Sequence, residues 1–199
     1  DGQRLSLSAS SNGAYYQNYN ISFTEPWLGG KKPNALTVSV YKSVSSNGQE
    51  GDNREAIEIL GLTVGIGKRL KNPDDYFTIY NGMNFQQYKL INSQSFFTFK
   101  NGFSNNFNYN IRLGRNSVDQ LIFPRRGSNF SLGLKITPTY SMFDGIDDYS
   151  TVSDQEKYKY IEYYKWKYKS SWYSAFTDKL VLATKIEMGL LGAYNNSLG

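Results

Sequence analysis

Five lysines have the most regular spacing of any titratable groups in the sequence. Lys157, Lys159, Lys165, Lys167 and Lys169 share one parity, while Tyr158, Tyr160, Tyr164, Trp166 and Tyr168 share the other. In a strand, where successive side chains point to opposite faces, this pattern puts a row of ammonium groups on one side and aromatic rings on the other. The chemistry such a row offers is electrostatic. It makes a polar inner wall or, more sharply, a path or seat for an anion. Covalent chemistry is poorly supplied. The chain has no His and no Cys, which removes Ser-His and Cys-His nucleophilic pairs, His-liganded metals, thiolate metal sites and disulfides. Acid/base work by Asp, Glu, Lys or Tyr alone stays open, but the carboxylates cluster in turn-like segments. No catalytic residue, metal ligand or cofactor is therefore assigned, and the expectation is a protein that is not an enzyme.

The elements that must carry these residues are constrained by composition. The 199 residues have a formal net charge of +5 and are 16% aromatic. Lys and Arg are spread along the chain without a basic cluster, so nucleic acid is not expected as a partner. No run approaches the roughly 18 apolar residues of a membrane-spanning helix, and the first eight residues lack the charged and apolar regions of a signal peptide. Two classes survive, a soluble β protein and a membrane β-barrel. Average hydropathy does not separate them, because barrel strands alternate apolar and polar residues.

Period-two alternation predicts about nine strands and no helix. Residues 5–11 put Leu5, Leu7 and Ala9 on one face, and residues 17–25 do the same with Tyr19, Ile21 and Phe23. Residues 34–44 align Leu36, Val38 and Val40, whereas residues 56–70 align Leu60, Leu62, Val64 and Ile66 with Gly61, Gly65 and Gly67 opposite. The remaining candidates are residues 76–90, 105–115, 128–137, 157–172 and 179–194. Several exceed the roughly 5 or 6 residues common in globular strands and reach the roughly 9 to 11 that a tilted membrane strand needs.

Connections alternate in length. Residues 26–33, 71–75, 121–127 and 176–178 are short and carry Gly, Pro, Asp or Asn. Residues 45–55, 91–104 and 140–156 are long and polar. A barrel threaded through an outer membrane keeps this asymmetry, with tight periplasmic turns and longer extracellular loops. It would place Trp27, Tyr76, Phe77, Phe123 and Phe176 near one interface, and Tyr15, Tyr16, Phe96, Phe97, Phe103 and Tyr140 near the other, as two aromatic girdles.

Two segments carry more than a generic barrel pattern. Residues 19–33, YNISFTEPWLGGKKP, hold Glu25, Pro26, Trp27, Gly29 and Gly30; residues 121–134, LIFPRRGSNFSLGL, hold Phe123, Pro124, Arg125, Arg126 and Gly127. Pro preorganises a tight turn, Gly allows positive φ, and the aromatic anchors the turn at an interface. These stretches resemble strand-and-turn segments of the BamA-type barrel assembly factors, in which a Glu-Pro or Asn-Pro plus aromatic motif ends one strand. A Phe-Pro-x-x-Gly turn then leads into a strand that ends near a Pro, here Pro138.

The resemblance covers nearly the whole chain. It implies an all-β fold, an antiparallel transmembrane barrel wall with short periplasmic turns and long extracellular loops, at about strands three to eleven of sixteen. Residues 1–199 would then be a partial barrel domain without POTRA repeats, without the lateral seam strands and without the Val-Arg-Gly-Phe-type lumenal loop. An odd strand number agrees with an incomplete wall, since bacterial outer-membrane barrels are even-numbered. The implied function is insertion and folding of nascent outer-membrane proteins in a Gram-negative outer membrane. Expected partners are outer-membrane lipids, the nascent clients and accessory lipoproteins. The alternatives are a related barrel that secretes or transports a partner, and a soluble β-sandwich that binds carbohydrate through strand aromatics.

Overall fold

The structure, a computed structural model, describes residues 2–30, 34–93, 97–146 and 149–195. Nine antiparallel strands run as one uninterrupted meander: β1 (Arg4–Asn12), β2 (Tyr16–Glu25), β3 (Asn34–Ser46), β4 (Ala56–Arg69), β5 (Phe77–Ile91), β6 (Gly102–Asn116), β7 (Gly127–Ile136), β8 (Tyr164–Ala175) and β9 (Val181–Gly192). Each pairs only with its sequence neighbours, so β1 and β9 are the two edges. Strand lengths of 9 to 15 residues suit a membrane crossing.

Register turns the nine alternations into two continuous faces. Leu7, Ile21, Val40, Leu62, Phe85 and Phe107 stand side by side across six strands. Leu134, Trp166 and Leu190 continue that face on the last three. The opposite face is polar. Thr63 Oγ1 donates to Asn84 Oδ1 at 2.9 Å, Asn84 Nδ2 to Asn108 Oδ1 at 3.1 Å, and Asn108 Nδ2 to Asn106 Oδ1 at 3.1 Å.

Burial is inverted relative to a water-soluble domain. Leu60, Leu62, Val64 and Ile66 are 46, 42, 39 and 44% exposed, while Ser104 and Asn108 are fully buried. An apolar face this broad is not left to water, since monomers rarely expose contiguous apolar patches above a few hundred Å². Among the described residues nothing covers it, so lipid is the solvent it fits. A carbohydrate-binding sandwich, which needs a second sheet over that face, is not what the chain builds. Polar pairs on it satisfy each other, with the Tyr109 hydroxyl donating to Asn81 Oδ1 at 2.9 Å and Gln87 Nε2 to Asn105 Oδ1 at 3.2 Å.

Glycines and tyrosines lock the polar face. A Cβ at Gly61 would lie 2.2 Å from the Tyr41 ring, and one at Gly65 would lie 2.1 Å from the Tyr80 hydroxyl. The rings thus lie flat over bare backbone on the neighbouring strand. This explains why β4 carries glycines opposite its leucines.

The long loops depart from expectation at three places. The connection at Gly13 to Tyr15 is short although it belongs to the long-loop rim. The connection between β7 and β8 holds a one-turn helix, α1 (Asp154–Lys157), with Ser153 as N-cap. β8 begins at Tyr164, so Lys157 and Lys159 are not on it. The cause lies in β6, which outruns β7: pairing stops at Tyr109↔Ile136, just before Pro138, leaving the upper part of β6, paired with β5 on one side, without a strand partner on the other. The returning chain fills that gap, with Asn105 N donating to Lys159 O at 2.8 Å, Ile161 N to Asn105 O at 2.9 Å, and Ser104 Oγ to Tyr158 O at 2.6 Å. An open sheet edge is thereby capped. Lys157 ends α1, and Tyr160 forms a single parallel bridge with Asn105, so the parity shared with β8 is not that of one continuous strand.

Candidate functional site

The short-turn rim gathers both turn motifs. In the first turn Glu25 accepts from Trp27 N at 3.1 Å through Oε1 and from Gln3 Nε2 at 2.7 Å through Oε2, tying the turn to the start of β1. Gly30 N donates to Trp27 O at 2.9 Å, and Gly29 and Gly30 supply the positive φ values of 69° and 71° that close it. Pro26 lies beside Gly2, where an added Cβ would sit 3.7 Å from its ring. Lys31, Lys32 and Pro33 lie outside the described residues, as does Phe96 of the opposite girdle.

In the second motif Asp119 Oδ1 accepts from the backbone N–H groups of Arg125 and Arg126 at 3.1 and 3.2 Å. These bonds, with Arg125 N–H foremost, hold the Asp119 carboxyl below the usual range. Arg125 Nη2 reaches the Thr177 carbonyl at 3.1 Å in the β8–β9 turn, so the motif laces two turns together. Its tip is bare: Leu121, Ile122 and Phe123 are 96, 74 and 86% exposed. Trp27, Tyr76 and Phe176 are exposed on the same rim, as Tyr15, Tyr16 and Phe103 are on the other.

A second lacing point was not read from the sequence. Arg115 pairs with Asp74 Oδ2 at 2.8 Å, donates to Ser117 Oγ at 2.8 Å and Ser128 Oγ at 2.9 Å, and lies 5.6 Å over the Tyr76 ring. The available signal was a cation ending the apolar parity Phe107, Tyr109, Ile111 and Leu113.

Of the five lysines, Lys165, Lys167 and Lys169 lie on the polar face of β8, paired laterally with Lys135, Gly133 and Ser131 of β7. With Arg112 on β6 they surround an open cavity of 420 Å³. Lys157 and Lys159 do not join them, being held above β6. The acid near the row is Glu187, 3.4 Å from Lys167 and 2.8 Å from Lys169.

The β7–β8 connection packs on itself as a small cap. Tyr140 stacks on Tyr160 with ring centroids 4.6 Å apart, and Ser141 donates through both its N–H and its hydroxyl to Glu162. The buried Tyr149 hydroxyl donates to Asp144. Burial, and next the Asp144 carboxylate, push Tyr149 up to about 12. The same bond holds Asp144 below the usual carboxylate range.

A pH prediction follows from the two signs. The raised Tyr149 value gives the cap stability that is whole below the ordinary Tyr pKa of about 10 and is lost as pH rises through about 12. The depressed Asp144 value gives stability present above the ordinary Asp pKa of about 4 and lost as pH falls through its lowered value. The near-ultraviolet circular dichroism of the packed cap tyrosines is therefore expected to be level between these limits and to change outside them. In Asp144→Asn the tyrosinate absorbance of Tyr149 should rise at lower pH than in the parent. An unmoved titration would sever the link between the two groups.

Residues 1–198 match the Omp85 superfamily domain. Among curated proteins none matched the sequence. Among solved structures the chain is similar to the crystal structure of BamA from Haemophilus ducreyi lacking POTRA domains 1–3, with a TM-score of 0.67 and 20% sequence identity. That likeness covers 97% of this chain and 36% of the BamA chain, so the present chain spans about a third of the solved one. At this identity the structural likeness speaks to the fold, an antiparallel sheet of the kind that walls an Omp85 barrel. With the domain matched from end to end and the inverted sheet in agreement, the chain belongs to the Omp85 superfamily, whose barrels reside in outer membranes.

Proposed function

We propose that this chain is barrel wall of a BamA-type assembly factor, the central subunit of a machinery that inserts and folds β-barrel proteins in the outer membrane. The observation that carries the reading is the pair of turn motifs. The Glu25-Pro26-Trp27 turn and the Phe123-Pro124-Arg125-Arg126-Gly127 turn fall on the same rim of one unbroken meander, at the ends of β2 and the start of β7. Members of the superfamily are generally assembly or transport barrels rather than enzymes.

In this reading the nine strands are about the third to the eleventh of sixteen, and other strands complete the wall. Insertion needs no covalent step. An opened seam offers unpaired N–H and C=O groups, and a client strand adds to that edge through main-chain hydrogen bonds. The strands described here hold the barrel's shape while a seam elsewhere opens, which is the use of a face locked by Tyr41, Tyr80 and the asparagine ladder. Lipid contacts the apolar face. The exposed Leu121-Ile122-Phe123 tip gives accessory lipoproteins an apolar hold on the periplasmic rim.

The test is depletion of the full-length protein in its host, with quantitative proteomics of isolated outer membranes. Simultaneous loss of many unrelated barrel proteins is the expected result. Loss of a single secreted or surface-displayed partner, with other barrels at normal levels, would replace this reading with that of a transport barrel.

A further inference from the structure

We infer that the basic frame on β6, β7 and β8 is a lumenal seat for an extended, acidic polypeptide segment. The frame is set by register. Lys135 stands directly opposite Lys165, and one pair further along Arg112 and Lys167 flank Gly133 from either side. Like charges directly opposite on neighbouring strands destabilise a sheet. Adjacent strands lie only about 4.8 Å apart, so these ammonium groups cannot separate far while facing the same side.

The local acid does not settle the imbalance. Glu187 is opposite Lys169 in register and is held by Lys167 and Lys169 at 3.4 and 2.8 Å. Among the described residues no carboxylate lies within ion-pair distance of Arg112, Lys135 or Lys165. Three cations thus ring one cavity without a counter-charge from the wall itself. Gly133 keeps the floor of that cavity low: a Cβ there would meet nothing closer than Lys167 O at 3.8 Å, so a side chain would fit and none is present.

Spacing selects the ligand. Lys165, Lys167 and Lys169, three cations against the single carboxylate of Glu187, repeat every second residue, a rise of about 6.6 to 6.8 Å, which is also the side-chain repeat of an extended peptide. Carboxylates at alternate positions of an inserted segment can therefore meet successive cations. A compact free anion such as phosphate is less well served, because backbone N–H groups at these positions are spent on the ladders to β6 and β9 and form no cradle. The wider barrel lumen is wet and open to a chain segment.

The experiment uses the full-length protein in non-ionic detergent and a fluorescent peptide of alternating Glu and Ser, read by anisotropy. Binding is expected to weaken with salt and to fall by about tenfold or more in the Lys135→Gln/Lys165→Gln double variant, the scale of losing close charge partners. It should survive in Lys135→Arg/Lys165→Arg and in Lys179→Gln on the opposite rim. These are exposed or half-exposed side chains, and their folding is checked by the heat-dependent gel shift of an intact barrel. Equal binding by the double Gln variant would overturn the seat. Displacement of the peptide by inorganic phosphate at equal charge concentration would overturn its peptide preference in favour of a free-anion site. The result does not depend on whether the barrel assembles clients or transports a partner.

Discussion

Arginine at Val64 is expected to cost the folded barrel about 2 to 4 kcal/mol, the penalty of a cation on a lipid-facing position near the midplane. Val64 lies in the middle of β4 between Val38 and Met83 on the apolar face. Ser39 is the contrast, lying on the neighbouring strand one residue out of phase and opposite Ser22 and Thr63 on the polar face. Ser39→Arg should change stability by about 0.5 kcal/mol or less, as for a wet surface site. The measurement is the urea midpoint of protein folded into lipid vesicles, read by heat-dependent gel mobility. Equal penalties at the two positions would mean that the faces are not lipid and lumen. The same pair checks the inverted burial of the sheet, because a hydrated apolar face would tolerate arginine at Val64.

Much of this architecture was legible because a barrel strand states its own orientation. Residues 34–44 and 56–70 share their starts, Asn34 and Ala56, with β3 and β4, and the alternation from Leu60 to Ile66 sets the two faces. The two-face assignment came with them, since a slip by one residue would have turned Leu62 and Val64 inward. Parity, however, does not name a partner. Lys157 and Lys159 keep the parity of β8, yet Lys157 ends α1 and Lys159 bonds to β6, and the mismatch between a 15-residue β6 and a 10-residue β7 explains why. Contacts between turns are equally silent in sequence. Arg125 meets Thr177 and Arg115 meets Asp74 because the meander brings alternate turns to one rim, and no local pattern encodes that distance.

The Phe-Pro-x-x-Gly turn owes its Gly to a steric demand that makes Gly127→Ala the most damaging single methyl in the chain. Gly127 has φ +102°, and an added Cβ would lie 2.2 Å from Ser117 O and 2.8 Å from Ser117 C. Both are backbone atoms, so nothing can rotate away. Relief requires opening the base of the turn, where Ser117 N donates to Ser128 O at 2.8 Å and Ser128 N to Ser117 Oγ at 3.2 Å. Arg115 would lose its seat on Ser128 at the same time. Backbone strain of about 1–3 kcal/mol and the loss of those bonds together predict a cost of about 3 kcal/mol or more.

Two other glycines calibrate the effect. Gly29 has a positive φ but open space around its Cβ direction, so Gly29→Ala should cost about 1 kcal/mol from conformation alone. Gly133 is extended and uncrowded, so Gly133→Ala should be close to neutral. The order Gly133, Gly29, Gly127 in falling urea midpoint is the expected result, and a Gly127→Ala midpoint equal to that of Gly133→Ala would contradict the turn geometry. The variant also separates two meanings of the motif. If Gly127→Ala unfolds the barrel, the motif's Gly is a requirement of chain geometry. The adjacent exposed tip can then be tested for partner contact on its own, by Phe123→Ser in a barrel whose urea midpoint is unchanged.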